Sequence, residues 1–168
     1  NIDESVSILK DWQIENPNDL RLDLMLAGLH LRQNETEQAV NYYNKILLND
    51  SENLIALNNL SWLYIDTDLS RAFELADKAN TLNPNDPGIM DTLGWILVNQ
   101  GKIEQGQNLL FKALNLFPDS ADIRYHYAYS LAEAGEEQKA ISELSTILND
   151  DNNFMERPAA EELMNRLR

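Results

Sequence analysis

Residues 87–120 read PGIMDTLGWILVNQGKIEQGQNLLFKALNLFPDS. Proline in the first turn and the apolar spacing that follows predict one helix, and Gly101 predicts a turn. A second apolar stripe then predicts another helix that ends at Pro118. The unit is about 34 residues long, a length that is typical of helical repeats and calls for a search for further copies.

Copies of this unit occur along the chain and are marked by three series of recurring residues. In each series the residues are 34 positions apart, except for one interval of 33. Small residues of the first helix recur at Ala27, Ser61, Gly94 and Ala128. Those of the second helix recur at Ala39, Ala72, Gly106 and Ala140. Turn and breaker residues recur at Pro17, Ser51, Pro84, Pro118 and Asn152. The short interval spans the same place in all three series, so one deletion between Ser61 and Ala72 explains every mismatch.

Two of the first helices resemble the tetratricopeptide repeat (TPR). Its W-x2-L-G-x2-Y pattern is matched from Leu57 to Tyr64 and from Met90 to Leu97, with two departures in each copy. Both copies lack the tryptophan. The resemblance implies an all-α fold, a right-handed α-solenoid of helix hairpins with a C-terminal capping helix, and a protein-binding function.

The repeat register divides the chain into six segments. We expect a single TPR array in which a second helix without its partner is followed by four repeats and a capping helix: residues 1–16, 20–53, 54–86, 87–120, 121–153 and 155–168. In the N-terminal helix we expect Ile8, Leu9 and Trp12 to share a face. Because the sequence starts in the middle of a repeat, we expect it to be the C-terminal piece of a longer protein.

Composition excludes several classes of protein. Hydrophobic residues make up 43% and charged residues 24%, which is typical of a folded chain. The formal charge of −15, from 13 basic and 28 acidic residues, argues against nucleic-acid binding, which needs a basic surface. It also argues against an anionic membrane surface. The simplest interpretation of the charge is solubility.

The sequence offers little for catalysis or for metals. Cysteine is absent, which excludes disulfides and thiolate ligands. The two histidines, His30 and His126, are far apart in the repeat register, and no phosphate-binding loop or nucleophile elbow is present. No apolar run reaches the roughly 20 residues that span a bilayer. We expect no enzyme activity, no cofactor, no metal and no direct membrane insertion.

A narrower resemblance covers the chain from about residue 55 to its end. The segments that carry it are LNNLSWLY at 57–64, DTLGWILV at 91–98, RYHYAYSL at 124–131 and ERPAAEEL at 156–163. They are similar to the C-terminal repeats of TPR lipoproteins that accompany the exosortase/PEP-CTERM sorting system of exopolysaccharide-producing bacteria. This resemblance implies a lipid-anchored protein in the periplasm or outer membrane of a Gram-negative bacterium, with the cytoplasm as the alternative location.

The first helices are expected to line a concave groove. Its predicted ligand-binding residues are Asn58, Asn59, Trp62, Asp91, Thr92, Trp95, Asn99, Tyr125, His126 and Tyr129, with Leu24, Met25 and Gly28 in the first repeat. Trp62, Trp95 and Tyr129 occupy equivalent places and would form a row of aromatic rings. Alternatively, Trp62 and Trp95 pack between neighbouring first helices, since aromatic residues at helical spacing are often structural.

The leading hypothesis is a scaffold that binds a peptide segment of a partner protein in this groove. The alternatives are a structural spacer or self-associating element, with a homodimer formed through the open N-terminal edge, and glycan binding by the aromatic rings. A clamp for a C-terminal carboxylate needs basic side chains on the first helices. The corresponding places hold Leu24, Gly28, Asn59, Gly88 and Thr92, which argues against that mode.

Overall fold

The computed structural model describes residues 2–149 and 154–168, and within these ranges it contains ten α-helices and no strand. The helices are α1 (Ile2–Glu15), α2 (Leu20–Arg32), α3 (Thr36–Asn49), α4 (Leu54–Tyr64), α5 (Leu69–Leu82), α6 (Pro87–Asn99), α7 (Ile103–Leu116), α8 (Ala121–Glu133), α9 (Glu137–Leu148) and α10 (Arg157–Leu167). The predicted all-α helical repeat fold is confirmed. Asn152, the last predicted breaker, and the end of the predicted fourth repeat lie outside the described residues.

The chain forms two compact units, Asn1–Leu82 and Asn83–Arg168. In the first unit α2 pairs with α3 and α4 with α5, while α1 packs on α2 and α3 packs on α4. In the second unit α6 pairs with α7 and α8 with α9, and both α6 and α7 contact α8. Helix α10 packs on α9 and α8. Short loops between the paired helices make each pair an antiparallel hairpin.

Polar caps mark where the first helix of each pair begins. An Asp, Asn or Ser side chain accepts a backbone N–H at each of these starts, at Asp19, Asn53, Asp86 and Ser120. Asp86 Oδ1, for example, accepts from the N–H groups of Gly88 at 2.9 Å and Ile89 at 3.0 Å. Such caps satisfy N–H groups that have no partner within the helix. The predicted proline in the first turn of this helix is Pro87, which directly follows the cap.

The turn between the two helices of a pair requires a left-handed residue in three of the four pairs. The backbone φ is 60° at Asn34, 76° at Gly101 and 78° at Gly135. Glycine enters this region without a steric penalty and asparagine enters it more readily than most other residues. The predicted turn at Gly101 is confirmed, and Asn34 takes the equivalent place in the first pair.

Two apolar clusters contribute to the core of the first unit. Val6 and Leu9 of α1 pack against Leu22 and Leu26 of α2. The second cluster joins α2, α3 and α4 through Ala27, Ala39, Tyr43, Ile46, Ala56 and Leu60. The predicted inward face of α1 is wrong in part, because Ile8 is 55% exposed and Trp12 is 60% exposed. Val6 faces inward in their place, one turn before Leu9.

Lysines on the second helices tie the hairpins of this unit to the preceding turns. Lys45 Nζ donates to the carbonyl oxygen of Pro17 at 3.1 Å, and Lys78 Nζ donates to that of Ser51 at 2.6 Å. The two lysines are one repeat apart, as are the two acceptors, so the contact follows the repeat. Each bond satisfies a carbonyl in a turn that leaves backbone groups without helical partners.

The closest helix contact in the second unit lies between Gly94 of α6 and Gly106 of α7. A Cβ atom placed on Gly106 would lie 2.5 Å from the carbonyl oxygen of Gly94 and 2.7 Å from a methyl group of Val98. One placed on Gly94 would lie 2.8 Å from Leu110. Both glycines belong to the two series of small residues found in the sequence, and their lack of a side chain lets the two backbones approach.

Helix α10 covers apolar side chains at the end of the second unit. Its Ala160, Leu163 and Met164 are buried against residues of α8 and α9 and against Phe154. The partners on α8 and α9 are Tyr125, Ala128, Leu144 and Ile147. Without α10 these side chains would face water at the edge of the last hairpin.

Gly106→Ala tests the close approach. Replacing glycine by alanine in a helix normally stabilises by about 0.5–1 kcal/mol. Here the new methyl group would overlap a backbone oxygen that cannot rotate away, so we expect a net loss of about 1–3 kcal/mol in the free energy of unfolding.

The matched control is Gly28→Ala in the middle of α2, where an added Cβ meets nothing within 4 Å. Urea unfolding of both variants measures the difference. Equal stabilisation of the two variants would contradict the close helix contact.

Candidate functional site

The predicted groove residues of the first unit lie on two helices, with Leu24, Met25 and Gly28 on α2 and Asn58, Asn59 and Trp62 on α4. Asn59 Nδ2 donates a hydrogen bond of 3.0 Å to the hydroxyl of Tyr43 on α3, which fixes the amide against the second helix of the preceding hairpin. Burial raises the pKa of Tyr43, although the hydrogen bond from Asn59 opposes the shift. Asn58 is half-buried, and Trp62 remains 37% exposed. An aromatic ring and two amides therefore share one face of α4.

The predicted groove residues of the second unit form an aromatic cluster of Trp95, Tyr125, His126 and Tyr129. The Trp95 ring stacks on that of His126 with their centres 4.4 Å apart and an interplanar angle of 26°. Tyr129 meets Trp95 edge-on at 5.0 Å. Such offset and edge-on arrangements are the favoured geometries of aromatic pairs. The cluster joins α6 to α8.

An ionic triad lies beside the aromatic cluster and consists of the buried residues Asp91 and His126 and the partly buried Glu156. His126 is 2% exposed, and its Nδ1 lies 2.8 Å from Oδ1 of Asp91 in a hydrogen bond. Its Nε2 lies 2.9 Å from Oε2 of Glu156 in an ion pair. The three groups come from α6, α8 and the residue before α10, so the triad connects three separate segments of this unit.

His126 is charged at neutral pH. Burial alone would lower its pKa, but the charge of Asp91, the hydrogen bond with Asp91 and the interactions with Glu156 together raise the pKa of His126 to about 9. A protonated imidazole donates from both nitrogens, which suits two carboxylate neighbours. It also places a positive ring against the face of Trp95, a favourable cation–π contact.

A cleft of about 560 Å³ opens between α8 and α10. We call it the α8–α10 cleft, and it is lined by Tyr125, Tyr129, Ala159, Glu162, Leu163, Asn165 and Arg166. The guanidinium carbon of Arg166 lies 6.0 Å from the ring centre of Tyr129, and Arg166 Nη2 lies 3.2 Å from Oε1 of Glu133. Burial, followed by the charges of Glu156 and Glu162, raises the pKa of Tyr125 to about 12.

A second, more apolar groove of about 580 Å³ lies between α1 and α2 of the first unit. We call it the α1–α2 groove, and it is lined by Ser5, Ile8, Leu9, Met25, Gly28, Leu29 and Arg32. Helices α1 and α2 correspond in the repeat to α7 and α8. In the second unit α6 packs against both α7 and α8. The groove therefore marks the place that a helix occupies in the other unit.

Burial narrows the predicted set of ligand-binding residues. Asp91, Thr92, Tyr125 and His126 are buried, so most of their surface is already in contact with the rest of the second unit. Their expected place on an open groove face needs this correction, because the triad and the aromatic cluster draw them inward. Those that keep partial or full exposure are Asn58, Asn59, Trp62, Trp95, Asn99 and Tyr129.

Trp95 serves both structure and surface. Its contacts with His126 and Tyr129 make it a packing residue between the first helices α6 and α8, the alternative that the sequence left open. Asn99 is exposed one turn later, and its Nδ2 donates to the carbonyl oxygen of Trp95 at 2.8 Å. Trp62 lies on α4 in the other unit.

Sequence reasoning missed the contributions of α10 and of Tyr43. Glu156 completes the triad, and Glu162 and Arg166 line the α8–α10 cleft. The sequence predicted only a capping role for this helix. A signal was present, since a buried histidine requires polar partners and a chain with few cations offers mainly carboxylates.

The family model for the tetratricopeptide repeat matches residues 24–87 and 92–153, more than half of the chain. The chain belongs to the tetratricopeptide repeat family. This confirms the first resemblance drawn from the sequence. Proteins of this family bind other proteins, and the family is typically non-catalytic.

Among curated proteins, the TPR chain is 34% identical over 118 residues to a TPR repeat-containing protein of Pseudomonas aeruginosa. It is 38% identical over 82 residues to the transcriptional regulator HilA of Salmonella typhimurium. These matches cover 66% and 48% of this chain but only 20% and 15% of the two relatives. The chain thus spans a fifth or less of their length.

Solved structures share the fold. PilF of Pseudomonas aeruginosa matches with a TM-score of 0.79 and 21% identity, over 99% of this chain and 75% of that one. YrrB, described as a TPR protein with an unusual peptide-binding site, matches with a TM-score of 0.70 and 21% identity, over 95% and 81% of the two chains. At this identity the likeness shows the fold alone.

Of the helices in residues 2–149 and 154–168, none has the length and apolar character needed to cross a membrane.

The triad predicts a pH dependence of stability. Because the pKa of His126 is about 9 in the folded chain and about 6.5 when unfolded, its contribution is complete below pH 6.5 and is lost as the pH rises through 9. We expect the free energy of unfolding to fall across this window with a limiting slope of about 1.4 kcal/mol per pH unit. Urea unfolding at several pH values between 6.5 and 9 measures it.

Two variants separate the triad from other titrating groups. His126→Gln should be less stable than wild type at pH 6.5, and its free energy of unfolding should no longer fall between pH 6.5 and 9. His30→Gln should keep this fall. A wild-type chain of constant stability from pH 6.5 to 9 would show that His126 is not held in its charged form.

Proposed function

We propose that this TPR chain is a non-catalytic interaction module whose first-helix surfaces bind an extended peptide segment of a partner protein. The observation that carries the proposal is the combination, on α4, of a partly exposed ring at Trp62 with the amides of Asn58 and Asn59. Amides can pair with the backbone of an extended peptide, and aromatic rings supply contact area for its side chains.

The rigidity of this surface supports the proposal. Asn59 is held by Tyr43, and Tyr43 is itself 2% exposed within the core cluster of the first unit. A polar group fixed before binding loses less entropy when the ligand arrives. The second unit offers a comparable surface in Tyr129, whose ring packs against Trp95 and borders the α8–α10 cleft.

The test is the selection of peptides from an unbiased phage-displayed library on the purified chain. We expect Trp62→Ala to lower the affinity for the selected peptides by about tenfold or more, as loss of an aromatic hot spot does. Phe111→Ala is the matched control, since Phe111 is an exposed aromatic residue on the second helix α7. Fluorescence polarisation measures affinity, and circular dichroism confirms that both variants are folded.

Equal binding by wild type and Trp62→Ala, together with equal binding by Tyr129→Ala, would remove the first-helix surfaces from the function. Loss of binding in Phe111→Ala alone would move the site to the second helices.

The second candidate is self-association, which the α1–α2 groove favours. Exposed apolar side chains such as Ile8, Trp12 and Met25 lie along α1 and α2, and the corresponding place in the second unit is filled by α6. A helix from another copy could cover this surface and exclude water from it.

If the groove joins copies, Ile8→Lys should shift a concentration-dependent dimer to monomer in sedimentation velocity. Leu48→Lys in the same unit is the control, because Leu48 is exposed and does not line the groove. A wild-type chain that is monomeric at all concentrations would eliminate this candidate.

The proposed setting is the envelope of a Gram-negative bacterium, in an exosortase-associated system. Its support is the resemblance of the segments at 57–64, 91–98, 124–131 and 156–163 to the TPR lipoproteins of that system. Fractionation of cells that express the full-length protein tests it. Recovery with the outer membrane or periplasm supports the setting, and recovery in the cytoplasm contradicts it.

A further inference from the structure

We propose that the α8–α10 cleft binds a basic side chain, lysine or arginine, of a peptide segment in a partner protein. This inference rests on the proposed peptide-binding function and names the chemistry of its ligand at one place. Three features carry it: the shape of the cleft, the rings that line it and the sign of the charges around it.

The cleft has the size and lining for one extended side chain. Its volume of about 560 Å³ is within the usual range of ligand pockets. Leu163, Ala159 and Tyr129 supply apolar surface for an aliphatic stem. Glu162 and Asn165 supply polar oxygens at its rim. A long side chain with an apolar stem and a charged tip matches this lining.

The ring of Tyr129 already accepts a cation. Arg166 places its guanidinium carbon 6.0 Å from the ring centre, at the limit of a cation–π contact. Arg166 is also paired with Glu133 and is 56% exposed at its side chain, so it can swing away at small cost. Its position shows what kind of group the ring attracts.

Carboxylates outnumber cations among the described residues around the cleft. Glu162 lines it, and Glu156 lies close enough to raise the pKa of the buried Tyr125. The triad has two carboxylates and one imidazolium, so it keeps a net negative charge. Asp122 is affected too, because burial and then the charge of Glu156 raise its pKa. A bound cation would relieve this repulsion.

The charge of the whole chain favours the same ligand. With 28 acidic and 13 basic residues, the chain attracts cationic segments and repels anionic ones at long range. Such steering raises the association rate of a basic peptide and depends on ionic strength. Among the described residues that line the cleft, an anionic ligand would meet a single cation, Arg166, which already pairs with Glu133.

The experiment compares three blocked decapeptides that alternate serine with lysine, glutamate or leucine. Each carries a fluorescent label, and binding to the full chain is measured by fluorescence polarisation at two salt concentrations. We expect the lysine peptide to bind best and its affinity to fall as salt is added. Glu162→Gln should lower the affinity for this peptide by about threefold, the effect of one exposed charge pair.

Glu161→Gln is the matched control. It removes the same charge from the neighbouring residue of α10, which pairs with Arg157 and does not line the cleft. Tyr129→Leu keeps the apolar volume but removes the ring, and it should weaken the lysine peptide as well. All three variants are checked for folding by thermal unfolding before binding is measured.

If Glu162→Gln and Glu161→Gln lose the same amount of affinity for the lysine peptide, the effect comes from net charge in general and the inference is overturned. The leucine peptide could instead bind best, with an affinity that does not depend on salt but falls in Tyr129→Leu. That result would overturn the inference and leave the proposed function standing. Failure of all three peptides, and of the library selection on the same chain, would count against both.

Discussion

The constraint on which this structure depends is the closeness of the two helices in each pair. Between α6 and α7 the approach is so tight that neither Gly94 nor Gly106 has room for a Cβ atom. Equivalent places in the other pairs hold small residues that are fully buried: Ala27, Ala39, Ser61, Ala72, Ala128 and Ala140. A close crossing fixes which face of each helix is buried, and the faces left over are those available to a partner.

The ionic triad adds a second constraint within the second unit. Burying Asp91 and His126 has a large desolvation cost that is recovered only with good geometry. Asp91 and Glu156 provide that geometry from opposite sides of His126, and Trp95 covers the ring. Because Glu156 directly precedes α10, the triad also connects the start of this helix to α8 and α6. The α8–α10 cleft and its negative charge follow from this placement.

The sequence was sufficient for the repeat and for its local signals. Its patterns indicated the helix pairs, the turn at Gly101 and the recurring small residues such as Gly106, because these depend on near neighbours in the chain and on the repeat. It was not sufficient for the triad, since Asp91, His126 and Glu156 are far apart in sequence and occupy different positions in their elements. No periodic pattern distinguishes a buried aspartate from a surface one. The sequence therefore placed Asp91 and His126 on an open surface.

The exposed part of the candidate site was easier to predict than the buried part. Trp62 and Tyr129 keep accessible surface, as the helical register implies, whereas the involvement of α10 depends on a contact outside the repeat pattern. The contacts of Lys45 and Lys78 could have been found because the two lysines are spaced by one repeat. They went unnoticed because lysine on a helix is usually solvated.

The most direct measurement of the central claim is hydrogen–deuterium exchange of the full chain, with and without a bound peptide ligand. The proposed binding surfaces lie on the first helices and beside α10, so the account predicts slower exchange on binding in α4, α6 and α8 and at the start of α10. Protection confined to α5, α7 and α9, with the first helices unchanged, would contradict it.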